Sequence, residues 1–371
     1  MSLSPRENLL SLWRRQGYEY APASFQLCPL QIECFHAHYG SDASYPDTFS
    51  FPLRYLESSF IKAKEQDWSR YYPGKIFHPG TNFSIWGVAN EPAPGSLHIT
   101  RMHHPMENLS SLEQFQSYPY PEMNPADEAP AKAEIQSLHE RGLVAAAPMS
   151  CTVWEIGWYL RGMEALMMDL ITEDPIADYH LERLTEIACC RVQLFAAAGV
   201  DLICLGDDVG MQKALLLSPG HYRSWLKARL TRIIRAAKAI NPRVLISYHS
   251  CGYITPLIPD LIEAGIDVLD PVQPECMPFE EIYQTYGDVL SFSGTLGTQT
   301  TLPFDSPENV RKVTLRNLEI AGNRGGLLCS PTHMIEPEVP WENLEAYLQA
   351  LRDFSASHTS PALSENSSAS Q

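Results

Sequence analysis

Positive charge is scarce in this sequence. Its 27 Lys and Arg stand against 44 Asp and Glu, a net charge of −17, and they are spread out rather than gathered. Nucleic-acid binding draws its affinity from clustered cations that neutralise phosphates, so no nucleic-acid partner is expected. Long apolar runs are also missing. The longest are interrupted well short of the ~18 to 20 residues that a membrane span needs, and no membrane partner is expected. "MSLSPRENLL" lacks the charged, apolar and small-residue regions of a secretory signal. The nine cysteines are odd in number and scattered without a compact framework, which fits a reducing cytoplasm better than a disulfide-stapled secreted domain. No G-x-G-x-x-G follows any apolar run, which weakens the case for an open, doubly wound sheet.

What is present is material for a core. Hydrophobic residues make up 44% of the chain and charged residues 19%, the composition of an ordinary globular protein. A length of 371 residues exceeds the roughly 250 to 300 of a single simple core, leaving one large barrel with insertions or two domains. "SPRENLLSLWRRQG" reads as a leading helix, with a Ser cap, Pro at the first helical position and Gly as a stop. From about 28 to 140 the chain is rich in Pro, Tyr and His, and predicts long loops or insertions.

From 142 onward the pattern is regular. "GLVAAAPMS", "GVDLICLGDD", "RVLISYHSCG", "GIDVLDPVQPE", "DVLSFSGTLG" and "GGLLCSPTH" are apolar runs of strand length, separated by stretches with apolar residues at helical spacing. One of these helical stretches is "EIGWYLRGMEALMMDLI". Six strand–helix repeats indicate a parallel sheet with crossover helices. Two weaker candidates, "PASFQLCPL" at 22–30 and "NFSIWGVAN" at 82–90, raise the count to eight, the number that closes a (β/α)8 barrel. The expected architecture is α/β: a distorted TIM-type barrel with N-terminal helical and loop insertions, one domain over 1–355, and a disordered Ser-rich tail over 356–371.

Active sites of such barrels lie at the C-terminal ends of the strands. Polar residues collect at those ends here: Asp207 and Asp208 after the fourth strand, His249 and Cys251 after the fifth, Asp270, Gln273 and Glu275 after the sixth, Thr295 and Gln299 after the seventh, His333 after the eighth. His249 and Cys251 are two apart on an extended chain, so both side chains point the same way. Nitrogen and sulfur donors suit Zn2+, whose catalytic sites take three protein ligands and keep one position open. Gly252 lets the backbone turn aside, and His333 is the third ligand candidate. The alternative for a lone His-x-Cys is two buried core side chains.

Asp207 and Asp208 are adjacent and point to opposite sides. One binds substrate or accepts a proton, with Gln212 nearby on the loop; the alternative is that one caps the following helix. Glu275 and Gln273 orient substrate or supply an oxygen ligand, unless they are solvated loop residues. Asp270 is read as bonding a backbone N–H. Glu155 reaches the mouth and Thr295 is grouped with the substrate contacts, while Trp154 and Trp158 pack. His103 and His104 read as exposed loop residues rather than a second metal pair, and Cys189 and Cys190 as core.

"YHSCGYITPLIPDLIEAGIDVLDPVQPECM" and "SFSGTLGTQTTLPFDSPENVRKVTLRNLEIAGNRGGLLCSPTHMIEPEVPWENL" resemble the uroporphyrinogen decarboxylase superfamily. More narrowly, they resemble its branch of methylcobalamin:coenzyme M methyltransferases. The likeness covers about 1 to 27 and 145 to 350. It implies a distorted (β/α)8 barrel and zinc held by the His-x-Cys pair and by a Cys after the eighth strand, where this chain has His333. Cys329, four residues earlier, reads as core. The decarboxylases of the family carry an arginine motif near the N-terminus for substrate carboxylates, whereas "ASFQLCPLQIECFHAHYG" at 23–40 contains no arginine. The resemblance thus implies a zinc-dependent methyl or alkyl transferase acting on a small molecule, with a corrinoid on a partner protein and a homodimer as further partners. A decarboxylase or lyase for a small carboxylated substrate, and a ligand-binding barrel without chemistry, are the alternatives.

Overall fold

The computed structural model of the chain describes residues 2–64, 66–93 and 100–358. The strand–helix alternation gives the TIM-barrel-like α/β fold expected from the sequence. Two compact units make up the chain: residues 54–141 with 145–270, and residues 1–53 with 142–144 and 271–371.

In the first unit, β1 (Val144–Met149, entering it at Ala145) is followed by helices α1 (Trp154–Arg161), α2 (Met163–Ile171) and α3 (Pro175–Ala198). Then come β2 (Leu202–Gly206), α4 (Ala228–Ile240), β3 (Leu245–His249), α5 (Ile258–Ala264) and β4 (Val268–Asp270). β1, β2, β3 and β4 pair in parallel in that order. Every residue of β2 is buried, as expected of a parallel strand covered on both faces, and α3 packs along α4. Asp174 caps α3 through the amide of Ile176, and Gly199 ends it in the left-handed region at φ 98°. The single helix suggested by "EIGWYLRGMEALMMDLI" is two, because Gly162 sits at φ 87° between α1 and α2, a conformation that glycine adopts without penalty.

In the second unit, Pro5–Trp13 forms the leading helix, closed by a reciprocal pair of bonds between Ser4 and Glu7. β5 (Ser291–Ser293) pairs in parallel with β6 (Leu327–Leu328). Helix α6 (Pro307–Ala321), capped by Ser306, packs along α7 (Trp341–His358). Of the stretch expected to be a disordered tail, residues 356–358 belong to α7, and 359–371 lie outside the described residues.

Two of the eight expected strands are not where the sequence places them. The stretch 22–30 contributes a lone bridge between Leu27 and Ile335 and becomes helical at Pro29, whose fixed φ suits a first helical position. The stretch 82–90 falls in a three-stranded antiparallel sheet of Asn82–Phe83, Ala89–Pro92 and Thr100–His103. A strand hidden in "SFPLRYLES", Leu53–Tyr55, lies beside β1. Val144 N donates to Pro52 O at 2.8 Å, and Leu56 N donates to Ala146 O at 2.9 Å. Three residues are too few to display a period. Among the described residues, no helix is long and apolar enough to cross a membrane.

Candidate metal centre

The parallel register sets the site. His249, the last residue of β3, is level with Gly206 on β2 and with Asp270 on β4. A side chain at Gly206 would collide with its neighbour: an added Cβ would stand 2.5 Å from His249 O and 2.7 Å from His249 Cβ. Glycine here is the residue that lets the imidazole occupy the space between the strand ends. On the other side, Asp270 Oδ2 accepts from His249 Nδ1 at 2.9 Å. The carboxylate fixes the ring's tautomer and turns Nε2 outward, as behind many metal-ligating histidines.

Two residues beyond the end of β3, Cys251 Sγ lies 3.5 Å from His249 Nε2, on the same side as the i, i+2 spacing predicts. Ser250 points the other way and is fully buried, its hydroxyl accepting from Val209 N at 3.1 Å. Gly252 then turns the chain at φ 85°; an added Cβ there would be 2.8 Å from Met211 O.

The two aspartates after β2 divide. Asp207, buried at 6% exposure, accepts the amides of Thr152 (3.3 Å), Val153 (3.1 Å) and Glu155 (2.9 Å). It caps α1, the helix following the neighbouring strand β1, and not the helix after its own strand as the cap alternative had it. Burial and the Glu155 charge push its pKa up to about 8, while the amides pull it down. Asp208 turns the opposite way, and its Oδ1 accepts from Cys251 N at 2.7 Å. Donor atoms of Asp208, His249 and Cys251 all lie within 4.8 Å of one another, each side chain half-buried.

Glu155 braces this cradle. Its Oε2 accepts from Asp208 N at 3.1 Å, and its Oε1 from Tyr159 OH at 2.7 Å, one helical turn on. Burial, reinforced by Asp208, raises the Glu155 pKa above the ordinary carboxylate range. Burial also raises the Cys151 thiol to about 12, with the Glu155 charge adding to it; its Sγ lies 3.6 Å from Tyr159 OH. For His249, burial works to lower the pKa, but the bonds from Asp270 and Cys251 outweigh it and the pKa rises. A cation therefore competes with a proton for Nε2.

One oxygen, one nitrogen and one sulfur donor, with a carboxylate behind the imidazole, fit a borderline divalent ion such as Zn2+ in a three-ligand, catalytic-type site. The structure thus groups Asp208 with His249 and Cys251, and it makes Asp270 the support of the imidazole rather than a partner of a backbone N–H. Asp270 was legible in retrospect, because both residues end their apolar runs. Tyr159 was overlooked although it stands four residues after Glu155, the spacing of neighbours on one helix face.

The other expected site residues are placed as follows. Gln212 is exposed after β2. His333 is exposed, following β6 in the second unit, and Cys329 is buried as core. Gln273 is buried there, its carbonyl accepting from Cys276 N and Met277 N. Glu275 Oε1 accepts from Thr300 Oγ1 at 2.9 Å and Gln299 N at 3.3 Å, which braces a turn rather than leaving the side chain solvated. Thr295 is buried, its hydroxyl taking a bond from Asn317 at 3.2 Å. Trp154 is fully buried, as a packing residue should be. Other expectations are corrected: Cys189 is half-buried and Cys190 exposed rather than core, His103 is buried on a strand instead of exposed in a loop, and His104 is half-buried. His104 bonds Tyr159 O through Nδ1 at 2.9 Å.

Two curated relatives, uroporphyrinogen decarboxylases from two strains of Thermus thermophilus, are each 26% identical over 178 residues, 47% of this chain and 48% of theirs. The chain thus matches about half the length of these relatives. A solved methyltransferase from Methanosarcina mazei shares the fold, with TM-score 0.64 and 16% identity over 95% of this chain and 99% of that one. The family model for uroporphyrinogen decarboxylase (URO-D) matches residues 131–354, a span that includes every residue of the cradle, and the chain belongs to the uroporphyrinogen decarboxylase family.

Proposed function

We propose that the protein is a metal-dependent alkyl transferase, with Zn2+ held by His249, Cys251 and Asp208, passing a methyl group between a small methylated molecule or methyl-corrinoid and a thiol or corrinoid acceptor. The observation that carries this reading is the convergence of three different donors within 4.8 Å. A zinc ion there supplies Lewis acidity, which lowers the pKa of a coordinated thiol from about 8.5 to below neutrality. Asp270 keeps Nε2 of His249 aimed at the cradle. Glu155, steadied by Tyr159, fixes the backbone of Asp208. Asp208 takes the place in the donor set that the family resemblance gives to the residue at position 333.

A corrinoid carried by a partner protein is the methyl reservoir in this reading. The nine cysteines, all free thiols, support a reducing, cytoplasmic setting. Decarboxylation, the activity named for the curated relatives, is the second reading. It is supported by the 26% identity and weakened by the lack of any arginine in residues 23–40.

Metal content and turnover test the proposal together. Purified protein should retain about one zinc per chain and accelerate methyl transfer from methylcobalamin to a small thiol, followed by the cobalamin absorbance. Asp208→Ala should lose zinc and His333→Ala keep it; the reverse result would hand the third ligand to His333. Metal-free protein that decarboxylates a small carboxylic acid and transfers no methyl group would replace the proposal with the second reading.

A further inference from the structure

The small antiparallel sheet contains a cluster that the proposed function does not use. Ala89 is level with His103 and Glu91 with Arg101, which makes Glu91 and His103 diagonal neighbours on one face. Both are buried, at 7% exposure, and Glu91 Oε2 lies 2.8 Å from His103 Nε2. The second Glu91 oxygen accepts from His78 N at 2.8 Å. A carboxylate of this kind only accepts, so Nε2 carries the ring proton and Nδ1 presents a lone pair. Lys75 Nζ hydrogen-bonds to that Nδ1.

The lysine is exposed, and His103 is held through its backbone as well as its ring. Tyr72 OH bridges the carbonyls of Gly87 (2.7 Å) and His103 (2.9 Å). Phe77 packs on the imidazole at 5.5 Å between centroids, with Lys75 Nζ 5.6 Å from the Phe77 centroid. An ordinary surface ion pair would join the ammonium to the carboxylate directly. Here a proton acceptor stands between them, giving the order nucleophile, base, orienting carboxylate.

We propose that Lys75 is an acyl-accepting nucleophile, a modification site for thioester-class acyl donors activated by His103 and Glu91. The ammonium passes one proton to His103 Nδ1, and Glu91 stabilises the resulting imidazolium. The free amine attacks the thioester carbonyl carbon. The N–C bond forms, the C–S bond breaks, and the sulfur leaves with the second amine proton as a thiol. His103 then returns its proton to water.

The test is site-resolved acetylation of the full chain by the acetyl thioester of N-acetylcysteamine, read by peptide mass spectrometry. Lys213 and Lys312, both exposed, serve as internal references. Lys75 should react at least about a hundredfold faster than either, the low side of a positioned base's effect. Folded His103→Gln and Glu91→Gln proteins should lose that excess and leave the two references unchanged. Equal rates in the unaltered protein overturn the proposal, as does an excess that survives His103→Gln. If His103→Gln does not fold, Glu91→Gln, which keeps the side-chain shape, decides in the same way.

Discussion

His249 and His103 are built alike and face opposite partners. Each is held by a carboxylate on one ring nitrogen, Asp270 for His249 and Glu91 for His103. The outward nitrogen of His249 meets a thiol and a carboxylate, whereas that of His103 meets an ammonium. Electron-pair donors gathered on one point invite a cation. An ammonium already in place fills that role and makes the same imidazole a proton acceptor. What a carboxylate–histidine pair does is thus set by what the other nitrogen faces, and the pair alone does not announce a metal.

The sharpest way to break this comparison is to remove each ring in turn. His249→Ala should abolish stoichiometric zinc and the transfer activity, while His103→Gln should leave both intact. Metal analysis and the cobalamin assay read the difference, and equal zinc loss in both variants would remove the distinction.

His180 supplies a third case, with no carboxylate. It is fully buried, with Nδ1 2.7 Å from Tyr120 OH and Nε2 3.0 Å from Gly157 O. Burial pushes its pKa down to about 4. The unfolded chain therefore binds more protons between about pH 6.5 and 4, and the stability held above that window is lost as pH falls through it. A shift of this size corresponds to about 3 kcal/mol. Urea unfolding at several pH values should show that loss, and His180→Gln should flatten it; an unchanged slope would mean that His180 is not the group responsible.

Asp270→Asn keeps the shape behind His249 and removes the charge. Supporting residues of this type are worth about 10 to 100-fold in metal affinity, so competition with a chromogenic chelator should show zinc binding weakened by that factor and not abolished. A smaller effect is expected at Asp207. Asp207→Ala uncaps α1 and should cost about 1 to 2 kcal/mol by thermal or urea unfolding, with zinc retained if Glu155 still holds Asp208.

Six strands from β1 to β6 were visible because buried parallel strands are nearly continuous apolar runs. The His-x-Cys pair was visible because alternation along an extended chain is a local property. The strand at Leu53–Tyr55 was not visible, being too short to show a period. The choice between Asp207 and Asp208 was not visible either. It depends on which of two adjacent side chains finds the amides of α1, and those lie more than fifty residues earlier. Lys75, His103 and Glu91 meet through a hairpin register that no single window contains.

The buried Asp207 also bears on how a metal ion would be exchanged. It pins the start of α1 to the end of β2 through backbone amides, which fixes the strand end that carries Asp208, one of the proposed ligands. Under the proposed function, preference among cations rests on the hardness of the donors, and cobalt(II) should replace zinc as a coloured reporter.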